Sequence, residues 1–75
     1  PVTVVRYTAL REWRRTQALA HGVDSDVIIT KDMLWQIAER NPDSLDQLRN
    51  LHGMGEWRIS AHGEAILEVL RQHRK

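Results

Sequence analysis

Residues 48–63 read LRNLHGMGEWRISAHG and hold three of the four glycines and one of the three tryptophans. Leu48 and Leu51 lead into Gly53-Met54-Gly55, and a helical pattern resumes directly afterwards. The outline is helix, tight Gly-x-Gly turn, helix. Glycine takes positive φ with no Cβ penalty, so two of them let the backbone reverse within a few residues. The helix that follows begins with unpaired N–H groups, which suit an anion such as a phosphate. Two readings follow from the residues alone. The glycines either cap one helix and let the next pack closely, or they also form a phosphate-binding turn.

Outward from that turn, the chain reads as helical throughout. Towards the N-terminus, Ser44-Leu45-Asp46-Gln47 has the form of a capping box opening a short helix with Leu45, Leu48 and Leu51 inward. Asn41-Pro42 ends the helix before it, because proline disfavours helical geometry in the preceding residue. That helix spans residues 31–40, is capped by Thr30, has Asp32 in its first turn and buries Leu34, Ile37 and Ala38. Met33 and Trp35 lie off its buried stripe, which leaves Trp35 partly exposed. Val23 to Ile29 is expected to be an extended or 3₁₀ connector plugging the core with Ile28 or its neighbours. A first helix is expected from about Thr8 to His21, ended by Gly22, with Leu10, Trp13 and Gln17 along one side and Trp13 as its core anchor. Residues 1–7 read as a linker or chain edge, and residues 8–75 as the domain. Beyond the turn, Glu56 to His62 forms a fourth helical segment, Gly63 interrupts it, and Glu64 to about His73 forms a fifth with Ile66, Leu67 and Leu70 buried. The fold class is all-α, a compact bundle of about five short helices.

Seventy-five residues allow one small domain with a limited core. With 41% hydrophobic and 28% charged residues, the composition fits a globular domain rather than a disordered tail. No cysteine is present, which excludes a disulfide framework and a thiolate metal site. No apolar run approaches the ~20 residues of a membrane span, and there is no signal-peptide pattern.

The net charge of +1 is weaker than expected of a dedicated nucleic-acid binder, but its distribution is uneven. Residues 1–22 carry Arg6, Arg11, Arg14 and Arg15 against Glu12. The middle is acidic, with Asp24, Asp26, Asp32, Glu39, Asp43, Asp46 and Glu56 against Lys31, Arg40 and Arg49, and residues 57–75 are basic again. Terminal helices lying together would give one basic and one acidic side.

Catalytic chemistry finds little support. His21, His52, His62 and His73 are scattered without ligand spacing, so no metal site is expected. Ser25, Ser44 and Ser60 lack a nucleophile-elbow context. Glu64 and Glu68 read as a solvated helix face, and a chain this short has little room for a buried cleft. A binding or regulatory module is the remaining class.

The ordered set of positions then carries a resemblance. Leu10, Trp13-Arg14, Ala18 and Gly22-Val23 are followed by Val27-Ile28-Ile29-Thr30, by Leu34, Ile37-Ala38 and Pro42, by Leu48, Leu51, Gly53 and Gly55, and by Gly63 with Ile66-Leu67. This spacing resembles the HRDC domain (helicase and RNase D C-terminal), most like one from a RecQ-family DNA helicase, across residues 10 to about 70. The resemblance implies a five-helix domain without catalytic activity. Its role would be auxiliary: weak binding of single-stranded or structured DNA, and regulation of a parent that acts in DNA repair, recombination and replication. No cofactor is expected in the domain itself; ATP and Mg would belong to the parent helicase core, since the chain has no Walker-type phosphate loop. The location implied is intracellular, at the nucleoid in a bacterium or in the nucleus in a eukaryote. Alternatives are a protein-interaction module using an acidic face, or the HRDC domain of a ribonuclease D contacting RNA.

Candidate nucleic-acid contacts are the turn amides of Gly53, Met54 and Gly55, with Arg58, Arg14 and Arg11 for phosphates and Trp57 for base stacking. Candidate protein contacts, to the parent helicase core or another protein, are Asp24, Asp26, Asp32 and Trp35. The chain also departs from the family pattern. Asp24-Ser25-Asp26 stands where many relatives have Pro-Pro-Tyr, Glu56-Trp57-Arg58 where many have consecutive basic residues, and His62 where a Tyr is often found. Each change reduces a footprint for phosphate.

Overall fold

The structure, a computed structural model, describes residues 2–73. Five helices follow in order: α1 (Val2–His21), α2 (Ser25–Ile28), α3 (Lys31–Arg40), α4 (Leu45–Arg49) and α5 (Gly55–Gln72), and no strand occurs among the described residues. Helix α1 packs on α2, α3 and α5, and α4 packs on α5. Between them, Leu10, Leu34, Ile37, Leu48, Met54 and Ile66 are fully buried.

Helix α1 begins at Val2 rather than near Thr8, so residues 2–7 are part of the bundle and not a linker. Val2, Thr3, Val4 and Val5 are β-branched and have weak intrinsic helix preference. Tertiary contacts override it: Arg6 Nε donates to the Ala38 carbonyl at 2.6 Å, near the end of α3, and the Tyr7 ring meets Trp35 edge-on. The buried line of α1 is Leu10, Arg14 and Ala18. Trp13, expected as the core anchor, is half-buried and packs against the edge of the core. The helix ends as the glycine predicts. Gly22 has φ of 65°, Val23 N–H donates to the Ala18 carbonyl and Gly22 N–H to the Leu19 carbonyl, the paired bonds of a Schellman cap.

The connector contains one α-helical turn, α2, where an extended or 3₁₀ segment was expected. Its role as a plug holds, since Ile28 and Ile29 are both buried. Thr30 caps α3 by accepting the Met33 N–H, and Asn41 closes it in the left-handed region at φ 48°. Ser44 accepts the Gln47 N–H at 3.2 Å, while Gln47 Oε1 reaches the Asp43 N–H at 3.0 Å, one residue beyond the usual reciprocal partner of a capping box.

Helix α5 runs unbroken through Gly63, so the expected fourth and fifth segments are one helix. Gly63 does not interrupt; it admits α4. A Cβ there would lie 2.8 Å from Leu45 Cδ2 and 3.7 Å from Leu48 Cδ2. Met33, expected off the buried stripe, is buried, because the glycine turn folds over it with the Gly53 Cβ position only 3.2 Å from Met33 Cε.

Candidate nucleic-acid interface

The glycine turn is built as the sequence implies, with φ of 88° at Gly53 and 71° at Gly55. Its capacity for phosphate is nevertheless largely used. Met54 is fully buried and its N–H donates to the Leu51 carbonyl, so this residue anchors the turn and is removed from the candidate contacts. Glu56 sits in the first turn of α5, where the helix dipole favours an anion, and its carboxylate accepts from Arg49 Nε at 2.5 Å. The position a phosphate would favour thus already holds a carboxylate with its own arginine.

Two of the expected phosphate arginines are also engaged. Arg14 is buried; its Nη1 donates to the Ile29 carbonyl at 3.0 Å and meets Asp26 Oδ1 at 3.3 Å. Arg58 Nε donates to the Ile28 carbonyl at 3.2 Å. The two side chains, from α1 and α5, grip successive carbonyls where α2 ends. That reach is a use of the guanidinium fork. Arg14 is therefore a structural clamp, and its assignment as a free phosphate contact is corrected. Trp57 stands 65% exposed on α5, close to Arg58 in sequence but on a mostly apolar surface with Val23, Val27 and Ala61.

Unengaged positive charge lies elsewhere, on α1 and the start of α3. Arg11 and Lys31 are exposed and make no hydrogen bond or ion pair among the described residues. They line a hollow of about 460 Å³ with Tyr7, Glu12, Arg14, Arg15 and Ser25. Arg15 is held by both oxygens of Glu12, whose carboxyl falls below its ordinary range through that hydrogen-bonded pair. A second hollow, of about 470 Å³, shares Tyr7 and Lys31 and adds Asp32, Trp35 and Gln36. The Tyr7 and Trp35 rings meet edge-on at 5.3 Å, and Trp35 is 40% exposed. Cations and a pair of aromatic rings thus share one face with Glu12 and Asp32, an arrangement that can take a phosphate–base strand.

Of the expected nucleic-acid contacts, only Arg11 lies on that face without a hydrogen bond or ion pair among the described residues. Lys31, Arg15 and Tyr7 were missed. Tyr7, Arg11 and Arg15 recur at four-residue spacing on α1, a signal the sequence carried. Lys31 gave none, since its neighbours are set by how α3 docks. Among the acidic candidates, Asp26 is paired with Arg14 yet 81% exposed at its side chain, Asp24 is exposed with no side-chain capping bond, and Asp32 borders the aromatic hollow.

His62 is buried on α5, with Trp13 edge-on at 5.5 Å and Trp57 edge-on at 6.0 Å. Burial, followed by the positive charges of His21 and Arg58, pushes its pKa below the ordinary 6.5. Among the described residues no three His, Asp or Glu side chains converge as metal ligands would, and no helix is long and apolar enough to cross a membrane.

A five-helix all-α domain of this kind has clear counterparts. The HRDC domain family matches residues 5–70, and the chain belongs to that family of non-catalytic helical domains. The solved structure of D. radiodurans RecQ HRDC domain 3 superposes with a TM-score of 0.91 at 35% identity, covering 96% of this chain and 95% of that one. Ribonuclease D of Psychromonas ingrahamii is 34% identical over 64 residues, and ribonuclease D of Serratia proteamaculans is 30% identical over 63. Those stretches cover 85% and 84% of this chain but 17% of each ribonuclease.

Proposed function

We propose that the chain is an auxiliary domain that weakly holds single-stranded nucleic acid for a larger parent enzyme, through the face formed by α1 and the start of α3. The observation that carries this reading is the set of Arg11, Lys31, Tyr7 and Trp35 around two adjoining hollows, with neither cation held in a hydrogen bond or ion pair among the described residues, although Glu12 lies within the field of Arg11. Phosphates would sit against Arg11 and Lys31, with Arg15 contributing only as far as Glu12 releases it. A base would stack on the exposed part of Trp35, an interaction worth ~1–3 kcal/mol. Asp32 beside it limits affinity by repelling phosphate. The parent is read as a RecQ-type DNA helicase, supported by the near-complete superposition on a RecQ HRDC domain. A ribonuclease D parent, supported by the two curated relatives, is the second reading, with RNA as the strand.

Fluorescence anisotropy with labelled single-stranded DNA and RNA tests this proposal. Two or three phosphate contacts on a single strand give a log–log salt slope of about −1.4 to −2. Saturable binding at low salt with such a slope is expected. No saturable binding of either strand at low salt would remove the nucleic-acid role.

A further inference from the structure

A second face, across α2 from the cationic hollow, has the opposite chemistry. A groove of about 270 Å³ opens between α2 and α5, walled by His21, Val23, Val27, Ile28, Ala61 and Trp57 over the buried His62. Three of its walls are exposed apolar side chains, Trp57 and Val27 more so than Val23. Scattered exposed apolar residues need no explanation, but these adjoin one concave site. Trp57 is steadied on one side by its edge-on contact with His62, so little ordering is left to pay on binding. A large aromatic held in this way on the rim of an apolar pocket has the character of an interface anchor.

The charges around the groove decide what it takes. Helix α2, which supplies Val27 and Ile28, follows directly on the exposed carboxylate of Asp24, next to Val23 of the groove, while Asp26 is paired with Arg14 of the cationic hollow. The nearest arginines are committed to backbone carbonyls, Arg58 to Ile28 and Arg14 to Ile29. Among the described residues, a phosphate backbone would meet the Asp24 carboxylate and no Lys or Arg on the groove wall, with the His21 imidazole as the single polar side chain at its edge. We infer that this groove docks a polypeptide segment presenting a large apolar side chain flanked by Lys or Arg. The apolar side chain enters between Val27 and Trp57, and a flanking cation lies against Asp24 or over the face of Trp57. Such a segment belongs to a protein partner, and because Ser25 lines the cationic hollow while Val27 and Ile28 line this groove, one short helix separates the two faces.

The test uses the ¹⁵N-labelled chain titrated with three probes. One is a synthetic peptide with two leucines between lysines, another is the same peptide with glutamates in place of the lysines, and the third is a single-stranded oligothymidylate. The basic peptide is expected to move the Val23, Val27 and Ala61 amides and the Trp57 indole saturably, with the acidic peptide at least about tenfold weaker. Trp57→Ala should weaken the basic peptide about tenfold. Asp24→Lys, at an exposed position without a side-chain partner, should weaken it about threefold to fivefold and serves as the readout should Trp57→Ala disturb the fold. Equal binding of the acidic peptide, an unmoved groove at millimolar basic peptide, or oligothymidylate shifting these same resonances would each overturn the inference.

Discussion

Arg14 shows how a single side chain changes meaning between sequence and structure. In the sequence it is one of four arginines in a basic segment; in the fold it is nearly dry and spends a nitrogen on the Ile29 carbonyl. Replacing it with Met keeps the volume but leaves that carbonyl unsatisfied, so R14M should destabilise by about 1–3 kcal/mol in urea unfolding. An unchanged midpoint would mean that water replaces the guanidinium. His62 gives a second prediction at this scale. Its folded pKa lies below the ordinary 6.5, so the unfolded chain takes up its proton first as the pH falls. Its contribution to stability is therefore fully present above about 6.5 and is lost as the pH drops from there towards the lower folded value. Urea midpoints measured from pH 7.5 down to 5.5 should decline, and His62→Phe should flatten the decline. An equal slope in that variant would assign the effect to other groups.

At the scale of elements, local signals were read well wherever they act locally. Gly22 as a Schellman residue, Thr30 and Ser44 as N-caps, and the Gly53–Gly55 turn all depend on backbone conformation and on hydrogen bonds to the backbone within a few residues. Residues 2–7, α2 and the continuity of α5 were not legible, because each is settled by distant groups. Arg6 and Tyr7 hold the start of α1 against α3, and Arg14 with Arg58 holds α2. Gly63 was read as a break from its propensity alone, whereas its missing Cβ makes room for Leu45. Substitution separates these effects. Alanine at Gly63 gains up to about 1 kcal/mol of helix propensity and must displace only the end of half-buried Leu45, so G63A should leave stability within about 1 kcal/mol of the parent. The branched side chain of Gly63→Val also presses towards fully buried Leu48 and should cost about 1–3 kcal/mol. At Gly53, φ of 88° and the nearby Met33 leave no such relief. Gly53→Ala should cost about 1–2 kcal/mol, which for a domain this size lowers the thermal midpoint by roughly 4–16 °C. A midpoint within about 2 °C of the parent would mean that the turn relaxes freely.

For the whole molecule, a net charge of +1 conceals two faces of different chemistry. The sequence separated basic ends from an acidic middle but could not place Lys31, from the acidic stretch, beside Arg11 from the basic one. It also placed the phosphate site at the glycine turn, whose geometry is right but whose charge is already balanced by Glu56 and Arg49. The central claim is that nucleic acid is held by the Arg11–Lys31 face and not by the turn. Paired anisotropy titrations of single-stranded DNA at low salt test it most directly, comparing the parent chain, an Arg11→Glu/Lys31→Glu double variant, and Gly55→Ala/Arg58→Gln at the turn, each confirmed folded. The account predicts at least about a tenfold loss in the first variant and less than about a threefold change in the second, tenfold corresponding to roughly 1.4 kcal/mol. The reverse order, with the turn variant losing affinity and the double charge reversal keeping it, would contradict it.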